Sequence, residues 1–171
     1  PTATYLKRFA DMRGIPMEGV SLAADRGHLW RATAYRQTCW LIADEKRLNL
    51  RLRREDGNSF GEAKELVQRG SHASTPLGWH EVIRYESILL VEGSMDFVAA
   101  HAVVTEDCAV VGVTGAGNSL PNELIRNTKG KPVVIIPHLG DKKDVGIHAA
   151  IRWRRQLNKR CSKVVILHLR S

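Results

Sequence analysis

No run of apolar residues in this 171-residue chain approaches the ~20 that a membrane-spanning helix needs. Nor does a basic start lead into an apolar core, the pattern of a secretory leader. The expectation is a cytoplasmic protein with no membrane partner. Cysteine is scarce as well: Cys39, Cys108 and Cys161 are far apart and odd in number. With no C-x-x-C spacing, a structural zinc site built on thiolates is excluded within this stretch, and buried reduced thiols are expected instead. His72 and His80 have no acidic or thiol partner at ligand spacing and read as loop histidines.

What the chain does have is positive charge. Twenty-six Lys and Arg stand against 18 Asp and Glu, a net +8, which favours an anionic partner and nucleic acid first. The length suits one well-packed domain, or one domain carrying a small subdomain. The chain opens at Pro1 rather than Met and stops at Ser171 directly after a strand-like run. Both ends are expected to continue in a longer protein.

Residues 1–30 read as two helices. Tyr5, Leu6, Phe9 and Met12 recur at helical spacing up to Gly14, and Val20, Leu22 and Ala23 form the apolar side of a second helix from Met17. Residues 31–56 switch to strand periodicity, with an apolar run at Trp40-Leu41-Ile42-Ala43. Leu48, Leu50 and Leu52 then alternate with Arg47, Asn49, Arg51 and Arg53. The leucines are expected to face a core and the arginines to face out. Same-face residues recur roughly every 6.6–6.8 Å along a strand, a spacing that lets these arginines touch successive phosphates of an extended single strand, or serve as the charges that guard a solvated edge. Residues 57–80 carry little periodicity beyond a possible helical turn at 62–67, and Ser71 to Trp79 reads as a loop. It closes an N-terminal α+β subdomain, residues 1–80.

From residue 86 to 171 strands and helices alternate with short connections. Strands are expected over 88–91, 109–113, 133–136 and 164–169, and helices over 94–104, 122–127 and 144–158. Such alternation implies an α/β fold with a parallel sheet flanked by helices. The first strand, Ile88-Leu89-Leu90-Val91, is apolar enough to be buried on both faces. Glu92 stands at its carboxyl end, where ligands sit in open α/β sheets. Gly93 opens a turn, Ser94 is placed to cap the next helix, and Asp96 follows one helical turn after Glu92.

Val91-Glu92-Gly93-Ser94-Met95-Asp96-Phe97-Val98-Ala99-Ala100 resembles the first motif of the TOPRIM domain, the nucleotidyl-transfer module of bacterial and phage-type primases, topoisomerases and related nucleases. Tyr5-Leu6…Arg13-Gly14-Ile15 resembles the opening of primase catalytic cores. The loop Gly115-Ala116-Gly117-Asn118-Ser119 is similar to the small glycine loop of primase-type TOPRIM domains; its amides are candidates for approaching a phosphate, and an ordinary tight turn fits it equally. The third loop departs from the family. Where TOPRIM strands end in an Asp-x-Asp pair, this one has His138 and Gly140, with Asp141 and Asp144 just beyond and Val145-Gly146 kept.

The resemblance implies a primase-like nucleotidyltransferase core that makes short RNA primers on single-stranded DNA. Nucleoside triphosphates, Mg²⁺ or Mn²⁺ and a replicative helicase would be its partners. Glu92, Asp96 and His138 are the catalytic candidates. Glu92, Asp141 and Asp144 are the metal candidates, since Mg²⁺ takes oxygen ligands while His138 suits Mn²⁺ better. Gly115, Gly117, Asn118, Arg47, Arg51, Arg53, Lys142, Lys143, Arg152 and Arg155 are the nucleic-acid and phosphate candidates. Arg152, Arg155 and Lys159 share one helix face that reads as solvated. The alternatives are a nucleic-acid-binding TOPRIM domain with a degenerate metal site, or a TOPRIM nuclease. A topoisomerase needs a nucleophilic tyrosine, and none of Tyr5, Tyr35 or Tyr85 has a recognisable context.

Overall fold

The computed structural model describes residues 1–138 and 144–167. Helix α1 (Ala3–Arg13) starts at Thr2, whose hydroxyl accepts from the Tyr5 amide at 3.4 Å, and ends where Gly14 turns left-handed at φ 62°. Helix α2 (Met17–Asp25) follows after Pro16. Four strands then form an antiparallel sheet in sequence order: β1 (Leu29–Ala34), β2 (Gln37–Ala43), β3 (Leu50–Arg54) and β4 (Leu66–Val67). The helical turn expected at 62–67 is this last short strand, because its backbone pairs with Arg51 and Leu52.

A short 3₁₀ helix over Trp79–Arg84 leads into the second sheet. Its strands are β5 (Ser87–Glu92), β6 (Cys108–Val113), β7 (Pro132–Ile136) and β8 (Lys163–Ile166), all parallel, in the spatial order β6-β5-β7-β8. Helices α3 (Ser94–Ala100), α4 (Asn122–Asn127) and α5 (Val145–Leu157) connect them. The expected α/β architecture is therefore present, a parallel sheet flanked by helices and preceded by a small α+β part.

Alternation along β5 divides the core, since successive strand residues point to opposite faces. Leu89 and Val91 pack with Phe97 and Val98 of α3 and with Phe9, Val20 and Trp40 from the N-terminal part. Ile88 and Leu90 pack on the other face with Leu124 of α4 and with Ala149, Trp153 and Leu157 of α5. The N-terminal part shares the first of these cores with the parallel sheet. Ring contacts of Trp40 with Tyr5 and Phe9, at 3.9 and 4.7 Å between centroids, tie α1 to β2 within it. The segment before residue 80 also docks directly on the sheet, where Leu77 exchanges two backbone hydrogen bonds with Gly112.

The chain leaves β5 for β6 on one side and returns to β7 on the other. Such a reversal opens a crevice at the carboxyl end of the central strand. Glu92 sits there.

Candidate active site

Gly93 adopts φ 92°, a conformation that lets β5 turn at once into α3. The turn brings Glu92, Ser94 and Asp96 to one hollow of about 240 Å³, completed by Arg53, Gly93, Met95 and His138. His138, just past the end of β7, approaches Asp96 with Nδ1 at 3.2 Å from Oδ2, and both side chains are about half exposed. The imidazole at the end of β7 is thus paired with a carboxylate from the first turn of α3. Gly146 brings the first turn of α5 against the same hollow. A Cβ at that position would stand 2.3 Å from the His138 carbonyl oxygen and 3.1 Å from Glu92 Oε2. Asp144 precedes it in a left-handed conformation, φ 51°, as the cap residue of α5.

Arg53 reaches the hollow because of strand register. Trp40 pairs with Arg53 and Ile42 with Arg51, so both arginines lie on the sheet face that Trp40 and Ile42 bury in the core. They do not face solvent, as the leucine alternation suggested; their side chains are only 19% and 13% exposed. The expectation failed because both faces of β3 are covered: Leu52, on the opposite face, is 2% exposed.

Buried guanidinium groups need a counterion, and Glu65, immediately before β4, provides it. Its carboxylate accepts from Arg51 Nη1 at 2.8 Å and Arg53 Nε at 3.0 Å, and also from the Ser94 hydroxyl. Ser94 therefore does not cap α3 with its side chain; Gly93 takes the cap position and Ser94 is spent on Glu65. Burial disfavours the Glu65 charge, but the three donors overcome it and hold its pKa below the ordinary value. A third cation stands close behind. Burial, and then the charge of Arg53, lower the pKa of Arg13, whose Nε is buried without a hydrogen-bond partner. Three arginines, Arg13, Arg51 and Arg53, thus stand close to the carboxylates of Glu65, Glu92 and Asp96.

The remaining candidates lie apart from this cluster. The Gly115–Asn118 segment is a self-bonded turn: the Asn118 amide donates to Gly115 at 3.0 Å and the Asn118 side chain to the Thr114 carbonyl at 2.9 Å. Arg152 does not lie on a solvated face. It donates to the carbonyls of Ala116 and, at 3.3 Å, Asn118, while Trp153 Nε1 donates to Asn118 at 2.8 Å. Arg155 is exposed, and Arg47 sits in the turn before β3, outside the hollow. Asp141, Lys142 and Lys143 lie outside the described residues. Of the thiols, Cys39 is buried while Cys108 and Cys161 are half-buried, and all three are free.

Glu65 and Arg13 were missed in the sequence. Arg13 belongs to the Arg-Gly-Ile segment, but its place beside Arg53 depends on α1 packing on β2. For Glu65 a signal existed: two arginines on one strand face require an acidic partner if that face is covered.

No protein-family model matches the sequence, and no curated protein matches it. Among solved structures, the primase fragment of the bacteriophage T7 primase-helicase protein superposes with a TM-score of 0.57 at 17% identity, over 93% of this chain. The fold is primase-like. The chain covers 64% of that fragment's length. No described helix is long and apolar enough to cross a membrane. Among the described residues, no group of three His, Cys, Asp or Glu side chains is arranged to hold a metal ion.

Proposed function

We propose that this chain is the core of a TOPRIM-type, primase-like nucleotidyltransferase that makes short RNA primers on single-stranded DNA. The observation that carries the reading is the convergence, in one hollow of a primase-like fold, of two carboxylates, an imidazole and an arginine with two further arginines close behind it. Phosphoryl transfer asks for this combination, because charge develops on phosphate oxygens while a hydroxyl proton must leave.

Arg53 binds the phosphates of the incoming nucleoside triphosphate, held in place by Glu65 and supported by Arg13. The Asp96–His138 pair handles the proton. Asp96 accepts from Nδ1 and so fixes the ring, leaving Nε2 to take the proton of the attacking 3′-hydroxyl as it displaces pyrophosphate. Glu92 and Asp96 give the hollow two carboxylates, the number Mg²⁺ commonly takes from protein before water and phosphate oxygens complete its shell. Asp144, at the head of α5, and Asp141, outside the described residues, are further acidic candidates. Such an ion, when bound, would neutralise phosphate charge and stabilise the attacking and leaving oxygens. A replicative helicase is the partner proposed for the longer protein.

His138, standing where the TOPRIM resemblance calls for an acidic residue, favours one second reading, a domain that binds nucleic acid without turnover. Calorimetry with Mg²⁺ and Mn²⁺ on the native protein and Glu92→Gln separates the two, followed by primer synthesis on a single-stranded template. Metal binding that is lost in the variant, together with primer synthesis, is the expected result. Template binding with neither metal binding nor synthesis would move the assignment to the second reading.

A further inference from the structure

On the sheet face turned away from the Glu92 hollow lies a second feature with its own chemistry. Trp30 of β1 pairs with Leu41 of β2, and Ala43 pairs with Leu50 of β3. With Arg31 and Arg47 these residues line a recess of about 400 Å³. It holds four apolar side chains, one cation, Arg47, and no carboxylate; Arg31 lines its edge but, paired in register with Trp40, turns its guanidinium to the other face, 5.0 Å from the Tyr5 ring centre and 3.9 Å from Glu55. Trp30 is 37% exposed, whereas Trp79 is 7% and Trp40 and Trp153 are 0%. Its indole N–H donates to the Gly27 carbonyl at 2.9 Å, which fixes the ring. Arg47 adopts a left-handed backbone, φ 56°, and carries its guanidinium 5.1 Å from the ring centre. Arg47 makes no ion pair among the described residues.

We infer that this recess is a stacking site for an unpaired nucleobase, with Trp30 as the platform and Arg47 taking a flanking phosphate. Every base has a π-face, so an aromatic platform beside cations binds single strands with little regard to sequence. Arg47 already shows that the ring face accepts a flat cationic group, and a base can enter the same stack. The recess is too small for a stable protein interface, which buries roughly 1,600 Å², and its charge is of one sign. The site lies outside the hollow that holds Glu92, so it would grip the template away from the point of chemistry. The inference rests on the reading that the protein works on single-stranded DNA.

Trp30 supplies the readout, being the most exposed of the four indoles. Oligo(dT) of twenty nucleotides should quench the native protein's emission. Trp30→Leu should abolish the quench and weaken binding by about 5- to 150-fold, the effect of removing one stacked base. Trp30→Phe, which keeps a stacking face and guards against a misfolded variant, should retain most of the affinity. An oligomer of equal length with abasic sites should bind the native protein and Trp30→Leu alike, because it keeps the phosphates and lacks the bases. Arg47→Ala should lower the salt slope by about 0.7. Equal oligo(dT) affinity for native and Trp30→Leu protein, with unchanged emission, overturns the stacking site while leaving the single-strand reading intact. Absence of any oligo(dT) binding overturns both. A quench produced by an acidic peptide and not by oligo(dT) overturns the site in favour of a protein partner.

Discussion

Arg53 donates its Nε–H to the Glu65 carboxylate at 3.0 Å, and the same carboxylate takes the hydroxyl of Ser94. One side chain thus joins β3 of the antiparallel sheet to the first residue of α3, next to Glu92. Replacing Glu65 by Gln leaves two largely buried guanidinium groups without their counterion. The expected loss is about 3 kcal/mol in urea unfolding, the range for breaking a buried pair from one side. Ser94→Ala, which removes one neutral donor, should cost about 1 kcal/mol. Because the folded pKa of Glu65 is held below its ordinary value, its contribution is complete above about pH 4.5 and is lost as the pH falls below that. If Glu65→Gln unfolds at the native urea midpoint, the carboxylate does not hold the two sheets' elements together.

His101 governs a different pH window. It is 2% exposed at the end of α3, with Nδ1 2.8 Å from the Phe97 carbonyl oxygen. Burial first, and the neighbouring His28 charge second, push its pKa from 6.5 down to about 3. Between these values the unfolded chain binds a proton that the folded chain refuses. Stability must therefore fall as the pH drops from about 6.5, by at most about 1.4 kcal/mol per unit. His101→Gln removes the titrating group and should flatten this dependence between pH 6.5 and 4.5, above the window of Glu65. An unchanged slope in that variant would place the acid sensitivity elsewhere.

Arg152 tests how the glycine loop is held. Its guanidinium is committed to the carbonyls of Ala116 and Asn118. Arg152→Ala is expected to cost about 1.5–3 kcal/mol, the worth of hydrogen bonds from a charged donor, and to leave the salt dependence of DNA binding unchanged. Arg53→Ala should reduce that salt dependence, since Arg53 lines the hollow. A lower salt slope for Arg152→Ala would show that its charge meets phosphate after all.

The contrast between Arg152 and Glu92 shows what was legible in the sequence. β5 could be read because four consecutive apolar residues have no other use than burial on two faces, and Glu92 followed from its place at the strand end. Asp96 followed from helical spacing. The direction of Arg51 and Arg53 could not be read from alternation, because both faces of β3 are covered and only the register with Trp40 and Ile42 decides which side meets α3. β4, with two residues, is too short to carry a period. Arg152 shares the helical spacing of exposed Arg155, and only the turn at Ala116–Asn118, distant in sequence, takes it out of solvent.

Gly146 provides the most direct test of the site's geometry. The first turn of α5 comes so close to β5 and β7 that an added Cβ would meet the His138 carbonyl oxygen at 2.3 Å, a backbone atom that cannot rotate away. Glu92 Oε2 would stand at 3.1 Å from the same Cβ. Gly146→Ala must therefore move the helix, the end of β7 or the Glu92 carboxylate. Overpacking of this kind costs about 1–3 kcal/mol. The displaced elements carry Glu92 and His138, so nucleotide binding and any primer synthesis should fall further than stability. Gly117→Ala is the matched control: nothing lies within 4 Å of its added Cβ, and it should change neither. If Gly146→Ala melts like the native protein and binds nucleotide equally well, α5 does not hold the hollow's shape and the chemistry belongs to another part of the surface.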